Sequence, residues 1–266
     1  MLVFIIPLKS SKLSKSWELT CKIFERTLKS VCNQTSSKFR VIVVCHEKPD
    51  IEFIHPHVTY VEVEFPKPER SDDVETLDKD KYRKLLAGLF YSRKINLSHI
   101  MFVDADDCVS KHLAEFVSQH LEHNGWYTDK GYQYNEQSKI LKIRNRNFHL
   151  RTGTSHIVKF DLLKPDMELD ICNIKWGCIF GHADTKTILQ KRGFSLDPLP
   201  FIGAIHIIDN GENIWWSQDK LIGWTKKHGF KEIVRAYIGK IVQFFLTRSL
   251  TDSIHDEFGI YDINIS

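Results

Sequence analysis

The chain has 266 residues, a formal charge of +3, a hydrophobic fraction of 42% and a charged fraction of 27%. These fractions lie near the average for soluble globular proteins and exclude a fibrous or disordered chain, and the length suits one α/β body with a substrate-binding extension. The basic residues are spread along the chain rather than gathered in one run, so we expect no nucleic acid partner.

The cysteines and the apolar runs indicate where the protein works. The 6 cysteines contain no Cys-x-x-Cys pair, so we expect reduced cytosolic thiols. The opening run Met1 to Leu8 is too short for a signal-peptide core, and no stretch approaches the roughly 20 apolar residues of a membrane span. We therefore expect a cytoplasmic protein, either soluble or held peripherally at the inner membrane face.

The beginning of the chain predicts alternating strands and helices. Leu2 to Pro7 and Phe39 to Cys45 are apolar runs typical of parallel strands that are covered on both faces. Between them, apolar residues recur at steps of four and three from Trp17 to Val31, which predicts a helix. The first strand, the helix and the second strand make a βαβ unit. Val58 to Val63 predicts a third strand.

A second helix and a fourth strand follow. Phe65 to Asp80 is polar and contains proline, which indicates an exposed loop. Tyr82 to Phe90 has a helical apolar face, and Ile100 to Val103 predicts a strand that ends on acidic residues.

The second half changes character. Gly125 to Tyr134 and Lys139 to Ile143 are typical of a hairpin of aromatic and polar residues. Two helical stretches and a loop region over Gly203 to Trp216 come next. The basic, amphipathic segment Lys231 to Arg248 predicts a C-terminal helix that either packs over the sheet or rests on an anionic membrane surface.

The acidic cluster Asp104, Asp106 and Asp107 is the strongest chemical signal. Open α/β folds bind ligands at the carboxyl edge of their strands. If the extended geometry persists, Asp104 and Asp106 point the same way, which suits a hard cation such as Mg²⁺ or Mn²⁺ bridging to phosphate oxygens. The alternative is that these residues merely form a turn and cap the helix beginning near Lys111. We favour the metal or ligand role because three clustered carboxylates repel each other unless a cation or several donors offset them.

The order of these motifs resembles the GT-A glycosyltransferases, particularly the family-2-type group. Ile5-Ile6-Pro7 ends the first strand, Arg40 to Cys45 forms the second, and Ile100 to Asp107 carries Asp-x-Asp after a later strand. The resemblance implies an α/β, Rossmann-like, mostly parallel central sheet flanked by helices, with a small hairpin and an acceptor-side extension. It implies a catalytic domain over residues 1–230, divided into a nucleotide-sugar-binding half (1–110) and an acceptor half (111–230), followed by a C-terminal amphipathic helix and tail (231–266).

Three later segments match the family's remaining landmarks. Gly153-Thr154-Ser155 resembles the small-residue loop beside the donor sugar, Gly181-His182-Ala183-Asp184 stands in the place of a Glu-Asp pair, and His206 matches a C-terminal metal-binding histidine. The resemblance therefore implies Asp184 as the catalytic base and a Mn²⁺ or Mg²⁺ ion on Asp104, Asp106 and His206. It implies donor contacts from the following residues: Pro7, His46, Glu47, Asp104, Gly153 and Thr154.

The chain departs from the family at two places. His46-Glu47-Lys48 stands where members have Asp and Gly, and Ala183 replaces the Glu before the catalytic Asp. Among the cations Lys81, Arg83 and Lys84 ahead of the acidic strand, we expect Lys84 to reach a diphosphate or nucleobase, with a solvated helix face as the alternative.

Residue chemistry alone leaves further alternatives open. His206 could be a hydrogen-bonded core side chain, and Asp184 could cap the helix that contains Ile188. The aromatic residues of the hairpin could stack on a sugar acceptor or hold the hairpin together. They are Trp126, Tyr127, Tyr132 and Tyr134.

We expect transfer of a sugar from a nucleotide-diphosphate donor to a hydroxyl of a glycan, a lipid-linked molecule or another acceptor, assisted by a divalent cation. Inversion at the anomeric carbon is implied by the resemblance. One rival is a sugar-phosphate nucleotidyltransferase, although Leu8 to Lys12 lacks the glycine of that class's basic signature. The other is a catalytically silent nucleotide- or carbohydrate-binding domain, which Ala183 favours.

Overall fold

The structure is a computed structural model that describes residues 1–69, 73–164, 181–213 and 247–263. Its strands are β1 (Leu2–Pro7), β2 (Phe39–Cys45), β3 (Val58–Glu62), β4 (His99–Phe102), β5 (Cys108–Val109), β6 (Gly125–Tyr127), β7 (Gly131–Asn135), β8 (Ile140–Arg144), β9 (His156–Lys159), β10 (Asp197–Pro198), β11 (Ala204–Ile208) and β12 (Thr247–Arg248). Its helices are α1 (Trp17–Cys32), α2 (Val74–Ser92), α3 (Leu113–Gln119), α4 (Phe160–Leu163), α5 (Thr185–Lys191) and α6 (Asp252–Phe258), with short 3-10 helices at Ser11–Leu13 and Phe148–Leu150.

The central sheet has the strand order β10-β6-β9-β4-β1-β2-β3. Strands β1 to β4 are mutually parallel, whereas β9 runs antiparallel to both of its neighbours. The prediction of an α/β fold with a mostly parallel central sheet flanked by helices is confirmed.

Alternation along β1 divides the core into two layers. Leu2, Phe4 and Ile6 pack with the apolar stripe of α1, and Val3 and Ile5 pack with the apolar face of α2. All five side chains are fully buried, and burial of each stabilises the fold by about 1.5–3 kcal/mol. A strand covered on both faces has no polar positions, which explains its unbroken apolar sequence.

The strand order creates a switch point between β1 and β4. The chain passes from β1 to β2 and β3 on one side and then returns to place β4 on the other side of β1. Connections leaving the carboxyl ends of β1 and β4 therefore diverge, and open α/β sheets bind ligands in such a crevice. The acidic cluster follows β4 at this edge.

A second sheet has the order β12-β8-β7-β11-β5. Strands β7 and β8 form an antiparallel hairpin, so the hairpin prediction is correct for the part of its first arm that lies in β7 and for its second arm, Lys139 to Ile143. It is wrong for Gly125–Tyr127, which joins the central sheet beside β9. The predicted loop at Gly203 to Trp216 is also wrong at Ala204–Ile208, because this short apolar run pairs in parallel with β7.

The predicted loop Phe65 to Asp80 is wrong from Val74 onward, where α2 begins. Asp73 caps this helix, since its side chain accepts a hydrogen bond from the Thr76 amide at 2.8 Å. The first turns of α2 are mostly polar, and the buried positions Asp78 and Asp80 are themselves acidic, so this part of the helix carries no apolar stripe in the sequence.

Residues 247–263 pack against the second sheet. Strand β12 pairs with β8, and Phe258 and Ile260 lie in the same apolar cluster as β7 and β11 residues. Arg26 of α1 forms a buried ion pair with Glu136 at 2.7 Å and donates to the Tyr261 carbonyl at 2.9 Å. The predicted amphipathic helix after Lys231 lies outside the described residues up to position 246, and the boundary at 231 stays a prediction.

Among the described residues, no helix is both long enough and apolar enough to cross a membrane. The four described cysteines, Cys21, Cys32, Cys45 and Cys108, are free thiols.

Stability should depend on pH through His99, which is fully buried on β4. Burial lowers its pKa from the usual 6.5 to about 4. The unfolded chain therefore takes up this proton near pH 6.5 and the folded protein only near pH 4, so acid favours unfolding over this window. At about 1.4 kcal/mol per pKa unit, we expect a loss of about 3 kcal/mol between pH 7 and pH 4. Urea unfolding of wild type and His99→Gln should show their stability difference shifting by this amount; a difference that is constant with pH would contradict the prediction.

Candidate functional site

The acidic cluster forms a tight turn at the carboxyl edge of the central sheet. Asp104 follows β4, and the Asp107 amide donates to the Asp104 carbonyl at 3.2 Å. The backbone therefore turns here, so the extended geometry under which Asp104 and Asp106 would point the same way does not persist, and the turn of the alternative interpretation is observed. Asp106 has its own partners, whereas Asp104 and Asp107 share the Thr152 hydroxyl.

Asp104 faces the crevice and carries the most diverse contacts. Its Oδ2 accepts hydrogen bonds from the Gly153 amide at 3.0 Å and the Thr152 hydroxyl at 3.3 Å, and its own amide donates to the Thr154 hydroxyl at 2.9 Å. Its Oδ1 lies 2.5 Å from Nζ of Lys81. Burial raises the pKa of Asp104, but the Lys81 ammonium more than offsets this and holds the pKa below its usual value.

Lys81 is a cation built into the crevice. Its side chain is 33% exposed, and that of Asp104 is 23% exposed, so the pair remains open to a ligand. Burial lowers the pKa of Lys81, but Asp104 raises it above its usual value, so the ammonium stays charged. Asp78, one turn earlier on α2, has a pKa raised to about 6 by burial and by the Asp104 charge, against the opposing effect of Lys81.

Asp106 organises the loop after β11. Its Oδ2 accepts hydrogen bonds from the side-chain amides of Asn210 at 3.0 Å and Asn213 at 2.8 Å. Glu212 in the same loop bonds the Ser16 amide at 2.7 Å and Nζ of Lys9 at 2.6 Å. The loop is thereby tied to the start of α1. Burial and the Asp104 charge raise the pKa of Asp106.

Asp107 is a fully buried anchor between the two sheets. Its Oδ1 accepts from the Ile207 amide of β11 at 3.0 Å and its Oδ2 from the Thr152 hydroxyl at 2.5 Å. Burial, reinforced by the charges of Asp106 and Asp104, raises its pKa well above the usual value. Helix α3 begins after His112, without a side-chain cap, so the capping alternative for the cluster is wrong.

Two histidines approach the crevice from other elements. His206 lies on β11 and is 7% exposed; burial lowers its pKa to about 4 against the opposing effect of Asp104. His182 precedes α5, and burial and Lys81 lower its pKa, while Asp104 and Asp184 act to raise it. Both imidazoles are neutral at pH 7, the form that can bind a metal ion or accept a proton.

The expected metal ligands were Asp104, Asp106 and His206. Their oxygen and nitrogen donors suit Mn²⁺ or Mg²⁺, but no three His, Cys, Asp or Glu side chains in the described ranges are grouped closely enough to hold a metal ion. Lys81 lies against one Asp104 oxygen, and two amides bond Asp106. The side chains as they stand do not fit an ion, so metal binding stays a prediction.

Asp184 occupies the N-cap position of α5, but its side chain makes no capping hydrogen bond. The carboxylate is half-buried, and its charge acts on His182, which in turn acts on Asp104. This places Asp184 in the electrostatic neighbourhood of the crevice, with no capping bond from its side chain to the described helix α5.

The predicted donor contacts are divided between the crevice and a buried network. Gly153 and Thr154 lie at Asp104, and Pro7 ends β1 at the same edge. Lys84, in contrast, is 1% exposed and pairs with Asp80 at 2.6 Å. Asp80 also bonds Nε2 of His46 at 2.8 Å.

The expectation that Lys84 reaches a ligand does not agree with this burial; Lys81, one turn earlier, reaches the acidic cluster instead. The spacing of Asp80 and Lys84 was an available signal, because residues four apart on a helix form ion pairs. Glu47 bonds the Ser11 amide at 2.5 Å and Nζ of Lys67 at 2.5 Å, so its carboxylate ties two loops together.

The aromatic residues of the second half have separate roles. Trp126 and Tyr134 are 3% and 1% exposed and belong to the core, and Tyr132 packs edge-on against Phe258. Tyr127 is half-buried, with Nζ of Lys186 3.9 Å from its ring centroid. Tyr127 and Tyr132, which are both half-buried, keep the acceptor-side role open, whereas Trp126 and Tyr134 hold the fold together.

Gly153 should be irreplaceable because it lies so close to the Asp104 carboxylate that a side chain has no room. A Cβ at this position would lie 2.8 Å from Oδ1 and 2.9 Å from Oδ2 of Asp104. Gly153→Ala should therefore displace the carboxylate and weaken donor binding about tenfold or more, with a stability loss of about 1–3 kcal/mol from overpacking. Calorimetric titration with nucleotide sugars measures the first effect. Gly193→Ala is a control for lost stability alone: nothing lies within 4 Å of its Cβ position, but its φ of 89° strains an alanine, so this variant should lose stability without losing donor binding. Unaltered binding by Gly153→Ala would contradict this role.

No protein-family model matches the chain, and no curated protein matches it. Residues 1–349 of S. aureus TarS are similar in structure at 13% identity and a TM-score of 0.45, with coverage of 77% of this chain and 60% of that chain. The same TarS segment in complex with UDP-GlcNAc gives 14% identity, a TM-score of 0.44, and coverage of 81% and 61%.

The 2-C-methyl-D-erythritol 4-phosphate cytidylyltransferase of Francisella tularensis is similar at 12% identity and a TM-score of 0.37, with coverage of 85% of this chain and 99% of that chain. The chain spans less than two thirds of the length of the TarS segment. At such identities and TM-scores, these likenesses assign neither a substrate nor an activity to this chain.

Proposed function

We propose that the chain transfers a sugar from a nucleotide-diphosphate sugar to an acceptor hydroxyl in the crevice at Asp104. The observation that carries this proposal is the pair of Asp104 and Lys81 at the switch point between β1 and β4. A partly exposed ammonium, held by a carboxylate where open α/β sheets bind nucleotides, suits a ligand with a negative diphosphate.

The chemistry proposed for this chain has two charge requirements. The departing diphosphate gains negative charge as the glycosidic bond breaks, and Lys81 lies where it can stabilise that charge. The attacking hydroxyl must lose a proton, and Asp184, with a carboxylate that makes no capping bond, is the proposed base. Attack at the anomeric carbon from the opposite side would give inversion, as the resemblance to the family-2-type group implies.

A divalent cation remains part of the proposal as a prediction. Mn²⁺ or Mg²⁺ would add positive charge at the diphosphate, and its binding by Asp104 would require Lys81 to move away from that carboxylate. Asp106 and His206 are the other residues proposed to hold it.

Nucleotidyl transfer from a nucleoside triphosphate is the second candidate, and the loop after β1 disfavours it. This loop lacks glycine, and the Lys9 side chain, which pairs with Glu212 at 2.6 Å, is 17% exposed, compared with 33% for Lys81. A sugar-phosphate nucleotidyltransferase would normally carry a glycine-rich basic signature at this place. The third candidate, a catalytically silent domain, would bind the donor without cleaving it.

Two parallel assays test the proposal. A thermal-shift screen of nucleotide sugars, with Mn²⁺ or with a chelator, should identify a donor that raises the apparent stability. That donor should then be hydrolysed slowly to the nucleoside diphosphate. Release of pyrophosphate from a nucleoside triphosphate and a sugar phosphate would instead establish nucleotidyl transfer. Donor binding without cleavage, in the presence of every acceptor tried, would favour the silent domain.

A further inference from the structure

Basic side chains lie on the same face of the second sheet as His206. The strand register places Lys142 of β8, Gln133 of β7 and His206 of β11 in one row across the sheet. Arg144 is two residues beyond Lys142 on β8, so its side chain projects from the same face. The row begins beside the acidic cluster, because the amide of Ile207, next to His206, donates to Asp107 at 3.0 Å.

Arg144 is held in place by a neutral group. Its Nε donates to Oε1 of Gln133 at 2.8 Å, and its Nη2 donates to the same oxygen. Gln133 is 4% exposed, so this arrangement is well fixed. An amide oxygen orients the guanidinium but does not neutralise its charge.

Arg151 brings a second guanidinium to the same place. It follows the 3-10 helix Phe148–Leu150 and directly precedes Thr152, which bonds Asp104 and Asp107. Its Nε is buried and makes no hydrogen bond. Arg144 bonds Gln133, whose register partner is His206. Asp107 bonds both the Ile207 amide next to His206 and the Thr152 hydroxyl next to Arg151, so the two arginines belong to one region. In agreement with this arrangement, burial lowers the pKa of Arg144, and the charge of Arg151 lowers it further.

Within the described residues, the two arginines are not compensated by a carboxylate. Among the ion pairs found in the described part of the chain, none joins Arg144 or Arg151 to a carboxylate. Partly buried like charges and an unsatisfied buried donor both raise the free energy of a folded protein. An anion between them would relieve both, and the planar guanidinium fork matches a phosphate or carboxylate.

We propose that Arg144 and Arg151 bind an anionic group, a phosphate or phosphodiester, of the acceptor. This inference rests on the proposed function, since it takes the crevice at Asp104 as the transfer site. Arg144 comes from β8 of the second sheet and Arg151 from the segment after β8. Lys81, which we propose for the donor diphosphate, comes from α2. The acceptor would then be a phosphate-bearing hydroxyl compound rather than a neutral sugar.

The test is binding of inorganic phosphate to the full chain at low ionic strength, measured by calorimetry without any sugar. Wild type should bind, and Arg144→Gln and Arg151→Gln should each weaken binding about tenfold or more. Arg146→Gln is the matched control, because Arg146 is exposed and lies between the two arginines in sequence; it should change binding less than twofold. Arg151→Lys, which keeps the charge without the fork, should bind with intermediate affinity if the variants fold normally.

A competition arm separates the two sources of phosphate. UDP added before the titration should leave inorganic phosphate binding unchanged if the arginines serve the acceptor. If UDP competes with phosphate and both arginine variants weaken UDP binding equally, the pair belongs to the donor and the acceptor assignment is overturned. Equal phosphate binding by wild type and both Gln variants, or no binding at all, overturns the site. Arginine-dependent phosphate binding in a protein that cleaves no nucleotide sugar would support the site while removing the proposed function.

Discussion

Asp184→Asn should keep the fold and the donor affinity but reduce sugar transfer by about two to four orders of magnitude, the usual effect of removing general-base assistance. The carboxylate makes no capping hydrogen bond to α5, and Asn caps helices about as well as Asp. We therefore expect the unfolding free energy to change by less than about 0.5 kcal/mol. Turnover with saturating donor and acceptor, beside a urea unfolding curve, measures both effects.

A matched control is Asp252→Asn, which changes an exposed carboxylate in the first turn of α6. It should leave turnover unchanged. Near-normal transfer by Asp184→Asn would remove Asp184 as the base. The next residue to test would then be His182, whose pKa is lowered by burial and by Lys81. Asp166, another carboxylate that could serve, lies outside the described residues.

Lys81→Gln should weaken donor binding and turnover together by about 10²-fold, because it removes the cation that we propose to contact the diphosphate. The ion pair with Asp104 is partly solvent-exposed, so screening limits the loss of stability. The variant should remain folded. Calorimetry with the donor and steady-state kinetics measure the loss.

Two lysines of the same helix provide controls with different expected outcomes. Lys79 forms an exposed pair with Glu75 at 2.8 Å, so Lys79→Gln should change neither binding nor stability. Lys84→Gln breaks the buried pair with Asp80 and should lower stability by about 3–5 kcal/mol, with normal donor affinity in the molecules that fold. The opposite pattern, with lost donor binding for Lys84→Gln alone, would assign the diphosphate to Lys84.

The sequence identified the elements whose pattern of burial is the same along their whole length. Strands β1 and β2 have the predicted bounds because both faces are buried, and α1 was predicted from a long apolar stripe. It also located the acidic turn and the Gly153-Thr154 segment, which the structure brings together. It did not identify β11 as a strand, since a run of five residues carries no periodicity of its own.

The division of labour among the three carboxylates depended on tertiary structure. Asp107 became an anchor because the Ile207 amide, 100 residues away in sequence, reaches it, and Asp106 became a loop organiser through Asn210 and Asn213. Local sequence cannot distinguish neighbouring aspartates whose partners come from distant segments.

The sequence by itself therefore determined the fold class, the position of the acidic cluster at a strand end, and the set of cations that could serve it. Only the tertiary structure decided that Lys81 faces Asp104 while Lys84 is buried against Asp80. It also decided that Arg144 lies against Gln133 and that Arg151 directly precedes the threonine that bonds Asp104 and Asp107. The physical reason is that periodicity reports which residues are buried, whereas the partner of a charge is set by how distant elements pack.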